Sequence, residues 1–196
     1  MTAQKIINLL KRSLKSLKYK FNKNIRFEGK VIIDTRSQII ARFGKITLKD
    51  GVELRSDPVG YHAGMPFPTT ILIDKANAIV EIGEKTRLNG AYVHAQKEIR
   101  IGKNCVIASG VNILDANGHE LISGDRTWGR DTPEPIIIGD NVWIGLNSVI
   151  LKGTIIGNNS VVGANSVVKG EFSKNSLIIG NPGKVVKILD IKESNE

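Results

Sequence analysis

The amino-acid sequence predicts an all-β chain in which short strands wind into a solenoid, and three observations carry that reading. From Ile138 onward an aliphatic residue recurs at every sixth position: Ile138, Ile144, Ile150, Ile156, Val162 and Val168. Glycine follows it at Gly139, Gly145, Gly157 and Gly163. Composition agrees, with Gly at 20 of 196 residues and aromatics at only 5%, a balance suited to tight turns over small aliphatic layers. The third observation is a polar interruption at residues 114–135 in an otherwise steady repeat.

A period of six is neither a helical period nor simple strand alternation. It fits a short strand and a turn, repeated as the flat sides of a parallel β-helix. Three such units close a triangular coil of about 18 residues, and coils stack at about 4.8 Å, the spacing of hydrogen-bonded strands. The recurrent aliphatic points inward. The fourth place after it holds Cys105, Val142, Ser148, Thr154, Ser160 and Ser166, small enough to complete a narrow interior. Earlier registers run through Ile101, Ile107 and Ile113, and through Ile82 and Leu88. Still earlier, VIIDTRSQII, GKITLKDGVEL and TTILIDKANAIVEIG carry β-branched runs with looser spacing. They are expected to form irregular first coils, broken by a loop near residues 55–69.

The length suits one domain with a short appendage. The expected division is a basic amphipathic helix over 1–24, the repeat coil over 25–190 with its insertion at 114–135, and a polar tail over 191–196. Residues 3–20 place Ile6, Ile7, Leu10, Leu14 and Leu17 at helical spacing, with Lys11, Arg12, Lys15 and Lys18 largely outside that stripe. Two readings of this helix are compatible: a cap over the open end of the sheets, or a peripheral membrane contact through residues 1–20 on anionic lipid. The formal charge of +9 is concentrated in the first 30 residues, where nine Lys and Arg stand against Glu28 alone. The remainder is nearly neutral and shows no nucleic-acid motif, so no nucleic-acid partner is expected. A single Cys105, no long apolar run and no secretory cleavage pattern lead to the expectation of a cytoplasmic protein.

The insertion reads LDANGHELISGDRTWGRDTPEP and carries D-x-N-x-H at Asp115, Asn117 and His119. It is followed by PIIIGDNVWIG from Pro135, ILKGTIIG from Ile150, GANSVV from Gly163 and GNPGK from Gly180. On these motifs the chain resembles the hexapeptide-repeat acyltransferases, and within them the sugar and polysaccharide O-acetyltransferases. The resemblance implies a left-handed parallel β-helix, a homotrimer and active sites between neighbouring subunits. It also implies acetyl-CoA as acyl donor and a loop histidine facing the thioester. By the same resemblance the pantetheine arm lies along Gly145 and Ala164, with Lys169 and Lys184 as partners for the coenzyme A phosphates. Many relatives have Ala where Gly183 stands.

The chemistry supports this assignment independently. A sugar hydroxyl is a weak nucleophile at neutral pH, so its attack on a thioester needs a base, and neutral imidazole suits that task. His119 is the candidate base. Asp115, four residues earlier across a glycine-containing turn, is the candidate to hold the ring, with Glu120 as the other choice. Trp128 offers an aromatic face to a sugar, while Asn117, Arg126 and Arg130 are candidate acceptor contacts. Trp143 reads as a packing residue at a coil corner or subunit interface. His62 and His94 read as structural or solvent-facing, although His62 in YHAGMPFP is a weak candidate to approach an acceptor across an interface.

The expected reaction is transfer of acetyl to a hydroxyl of a saccharide or surface-polysaccharide precursor. N-transfer to an amino sugar and a non-catalytic membrane-associated scaffold are the alternatives. No metal is expected. A zinc carbonic anhydrase on a similar coil needs three convergent histidines, and this chain has only His62, His94 and His119, far apart in sequence.

Overall fold

The sixfold aliphatics become inward-facing ladders in the computed structural model, which describes residues 14–191. Ile138 stands in register with Ile156, Ile144 with Val162 and Ile150 with Val168. Three six-residue steps therefore make one coil. Each coil contributes one strand to each of three parallel faces, giving a left-handed parallel β-helix. The first face runs from Ile25–Phe27 to Glu171–Phe172, the second from Ile32–Ile33 to Ser176–Gly180, and the third from Gln38–Ala41 to Val167–Val168. The last strand, Gly183–Ile188, turns back antiparallel on Ser176–Gly180.

The interior holds the predicted residues. Ile107, Ile113, Ile144, Ile150, Val162 and Val168 are fully buried, and so are Cys105, Ser148, Thr154, Ser160 and Ser166. The hydroxyls are there because corner carbonyls need donors: Ser148 donates to the Gly163 carbonyl at 2.9 Å and Thr154 to the Leu151 carbonyl at 2.6 Å. The Cys105 thiol lies 3.1 Å from the Gly139 carbonyl. Burial pushes its pKa up to about 11, which keeps it protonated and chemically quiet.

The early coils depart from expectation. Ile25, Ile46 and Val80 stack in parallel register, as do Ile39, Ile71 and Val93. The strands are as regular as the later ones. The looseness lies in their corners, the longest of which joins Glu53–Arg55 to Thr70–Ile73. Before the first coil, residues 14–20 form a helix. Tyr19 packs on the core, and its hydroxyl accepts the Ile39 N–H at 3.2 Å. Leu14 and Leu17 stay exposed, at 66% and 49%, so this part of the apolar stripe does not cover the coil end. Ile6, Ile7, Leu10, Lys11 and Arg12 lie outside the described residues.

Corners between the first and second faces repeat one device. Asn104, Asn141, Asn159 and Asn175 all adopt positive φ, between 54° and 63°, a region that side chains other than Gly and Asn avoid. Their amides also form a ladder: Asn141 Nδ2 donates to Asn159 Oδ1 at 3.0 Å, and Asn159 Nδ2 to Asn175 Oδ1 at 3.2 Å. Replacing Asn159 by Ala is expected to cost about 1–2 kcal/mol, measured by thermal or denaturant unfolding. Asn159→Gly is expected to cost less, because it keeps the backbone free to turn; equal losses would assign the effect to the amide ladder instead.

Candidate active site

The insertion leaves the third face after Asn112–Leu114 and rejoins the first face at Ile136–Ile138. Its neck is closed by backbone: the Glu134 N–H donates to the Asp115 carbonyl at 2.9 Å. The Asp115 side chain is fully buried and accepts N–H groups from Gln96 and Lys97, each at 2.7 Å, and from Glu98 at 2.8 Å. These donors form the corresponding corner of the preceding coil. Burial pushes the carboxyl pKa up, and the three N–H groups oppose that shift by favouring the ionised form. In the folded chain the Asp115 carboxylate is engaged by the coil beneath.

A second carboxylate shapes the segment that carries the histidine. Asp131 accepts the Asn117 N–H at 2.8 Å and the Gly118 N–H at 3.3 Å. Lys152, on the turn after Val149–Leu151, holds Asp131 at 2.9 Å and Glu134 at 3.3 Å, and donates to the Thr132 carbonyl at 2.8 Å. Both side chains of the central pair are largely covered, with 12% of Lys152 and 7% of Asp131 exposed. Burial pushes Asp131 up, but the Asn117 N–H and Lys152 outweigh it, so its pKa lies below the ordinary value. The hydrogen bond to Asp131 raises Lys152. Gly118 takes φ +85°, and His119 follows it, exposed to solvent.

The remaining loop residues largely serve the loop itself. Arg126 donates through Nη1 to the carbonyls of Glu120, at 3.0 Å, and Leu121. Arg130 donates to the Gly129 carbonyl at 2.9 Å. Asp125 accepts from the backbone and hydroxyl of Thr127, making a tight turn ahead of Trp128. Trp128 stands 79% exposed, and Asn117 presents its side chain to solvent.

A cleft of ≈ 790 Å³ runs along the second face. Gly145 and Ala164 line it with Trp143, Ala108 and Gly163, and Tyr61 and His62 of the long early corner close one end. Gly145 has a reason beyond the cleft: a Cβ there would lie 2.6 Å from the Ala164 nitrogen, inside the next coil. Lys169 and Lys184 are exposed and do not line this cleft. Neither does His119, whose loop springs from the corner between the third and first faces. His94 faces Asp74 on the third face at 3.2 Å.

Residues 135–169 match the family profile described as the hexapeptide repeat of succinyl-transferase. That stretch carries the hexapeptide repeat. Over 114 residues the chain is 45% identical to a Dictyostelium discoideum protein with a provisional acetyltransferase name, covering 58% of this chain and 60% of the relative. Over 135 residues it is 35% identical to a polysialic acid O-acetyltransferase of Escherichia coli O1:K1, covering 66% of this chain and 42% of the relative. A hexapeptide-repeat-containing acetyltransferase of Vibrio cholerae, solved with acetyl coenzyme A, is similar at 34% identity and a TM-score of 0.53, over 57% of this chain and 61% of that one. The chain thus spans between 42% and 61% of these relatives' lengths.

Sequence reasoning passed over Asp131, Lys152, Tyr61 and Arg87. Lys152 stands inside the motif ILKGTIIG as one cation in an aliphatic run, which is the available signal. Two expectations follow from the loop's anchoring. Asp115→Asn is expected to lower stability by about 1–3 kcal/mol, because buried N–H groups lose their acceptor; denaturant unfolding measures it, and unchanged stability would leave Asp115 with an orienting role. Lys152→Met is expected to speed amide exchange at Asn117 and Gly118 roughly tenfold or more. In the parent chain these amides should stay protected as pH falls, until Asp131 protonates below the usual carboxylate range, and as pH rises, until Lys152 loses its proton above the usual lysine range.

Proposed function

We propose that the chain is an acetyl-CoA-dependent O-acetyltransferase acting on a saccharide hydroxyl, with His119 as general base and the site completed between subunits of a homotrimer. The observation that carries this reading is the separation of two half-sites on one rigid prism. A histidine is held out on an anchored loop at one corner, and a cleft lined by small residues opens along a face that the loop does not reach. Packing copies side by side brings one subunit's loop over another's cleft. The relatives' names supply the donor and acceptor classes: acetyl coenzyme A in the Vibrio cholerae protein and polysialic acid in the Escherichia coli protein.

The cleft suits an extended thioester arm. Trp143, Val161 and Leu177 follow one another in register along its apolar end, two strand steps or roughly 10 Å. Small residues at Ala108, Gly145, Gly163 and Ala164 let such an arm approach the backbone. Lys184, on the strand paired with Ser176–Gly180, is the candidate contact for the donor's phosphates beyond the cleft, and Lys169, at the corner between the third and first faces, is the candidate a neighbouring subunit would bring. In the reaction, His119 takes the hydroxyl proton as the hydroxyl oxygen bonds to the acetyl carbon. The carbon–sulfur bond breaks, and the imidazolium returns the proton to the departing sulfur. Trp128 and Asn117, exposed on the loop, are the candidate contacts for the acceptor.

His119→Ala is expected to reduce coenzyme A release by at least about 100-fold, the lower range for a general base, while leaving acetyl-CoA binding intact. The exposed position of His119 makes folding insensitive to the change. Mixed oligomers of His119→Ala subunits and cleft-blocked Ala164→Trp subunits are expected to recover activity that neither homo-oligomer has. Thiol release measured across hydroxyl and amine acceptors reads all three proteins. Unchanged turnover in His119→Ala removes the base, and no recovery in the mixture removes the shared site.

A further inference from the structure

Arg87 differs from the other arginines on the coil strands. Arg26 pairs with Glu28 at 3.0 Å, Arg55 with Glu53 at 2.6 Å, and Arg100 with both Glu81 and Glu98. Arg87 is half-buried and, among the described residues, has no hydrogen bond or ion pair from its side chain. Its register neighbour, Glu53, is committed to Arg55. A half-desolvated guanidinium is costly to leave without an acceptor, so Arg87 is set up for a partner that arrives from outside the chain.

Its position says what that partner is. Arg87 lines the second-face cleft at the end closed by Tyr61 and His62, while Val161, Val162 and Leu177 make the other end apolar. The aromatic pair is seated rather than loose. Tyr61 Oη accepts the Ser109 N–H at 3.3 Å, and the two rings stack at a tilt with centroids 4.9 Å apart. Between Arg87 and the half-exposed Trp143 lies Val106, so the floor between cation and indole is about 10 Å long. Aromatic faces beside a flat apolar floor suit a pyranose ring, and a guanidinium suits a carboxylate, which it binds through two parallel N–H···O bonds.

We infer that the Arg87 end of the cleft is a subsite for the carboxylate of the acceptor, which makes the substrate an acidic saccharide. This rests on the acyl-transfer reading for the donor's direction. With the donor's phosphates toward Lys184, its thioester end points to Arg87, where the acceptor hydroxyl must arrive. The Arg87–carboxylate contact then holds the sugar while a neighbouring subunit's His119 meets its hydroxyl. A cleft read in the opposite direction would place a donor phosphate on Arg87, and the experiment separates the two.

Calorimetry on the full chain, with oligosaccharides of a carboxylated sugar and the same oligosaccharides carboxyl-reduced, tests the inference directly. The parent protein is expected to bind the carboxylated form at least tenfold more tightly. Arg87→Gln is expected to remove that preference, with a loss of about ten- to a hundredfold, the range for a hydrogen bond to a charged group. Arg87→Lys should keep part of it, because charge survives without the two-pronged geometry. Acetyl-CoA affinity should be the same in all three proteins, and unfolding midpoints confirm that each is folded. Equal affinity for the two oligosaccharides in the parent overturns the inference. So does weaker acetyl-CoA binding in Arg87→Gln, which would assign the cation to the donor. Failure of the parent to bind acetyl-CoA would remove the donor assignment, a separate result from the oligosaccharide comparison.

Discussion

Stacking in register is the constraint from which the molecule follows. Each coil must place its backbone donors under the acceptors of its neighbour, so each corner must turn through the same angle. Positive-φ asparagines do this at Asn104, Asn141, Asn159 and Asn175, and glycines do it where the next coil's backbone leaves no room for Cβ, as at Gly145. Once corners are fixed, every inward position has only a narrow triangular space to fill. Aliphatics take one place and small hydroxyl or thiol residues the other, which is why the interior is ordered without large aromatic side chains. The rigidity that results lets a long polar insertion leave the coil without disturbing it.

The two halves of the proposed chemistry depend on this scaffold in different ways. The cleft is a property of the second face, built from consecutive strands whose spacing is set by hydrogen bonding. The loop is a property of a single corner, held by Asp115 below and by Lys152 above. One half is distributed over many coils and the other hangs from two ion-bearing anchors. A face and a corner of one prism point in different directions, and that geometry is the structural argument for assembly.

Much of the fold was legible because the repeat is local: six residues hold a strand, its inward side chain and its corner. The early coils were harder to read. Their strands stack as regularly as the rest, but corners of unequal length, above all the one between Arg55 and Thr70, put the inward residues out of step in sequence. Asp115 was legible as special, but its backbone partners were not. Its partners are the N–H groups of Gln96, Lys97 and Glu98, one coil away, and a backbone donor has no signature in side-chain identity. Asp131 and Lys152 escaped for a related reason, since their pairing depends on the path of the loop. Arg87 required the negative observation that, among the described residues, nothing satisfies it, and only the folded arrangement supplies that.

The closed neck of the insertion has a consequence for how such a chain tolerates change. Because Glu134 meets Asp115 through a backbone hydrogen bond and Asp115 seals the coil beneath, residues between them can be lengthened, shortened or exchanged with little effect on the pitch of the coil. The prism and the loop are separable pieces of design. New acceptor chemistry can be tried in the loop while the core that keeps the chain folded stays the same.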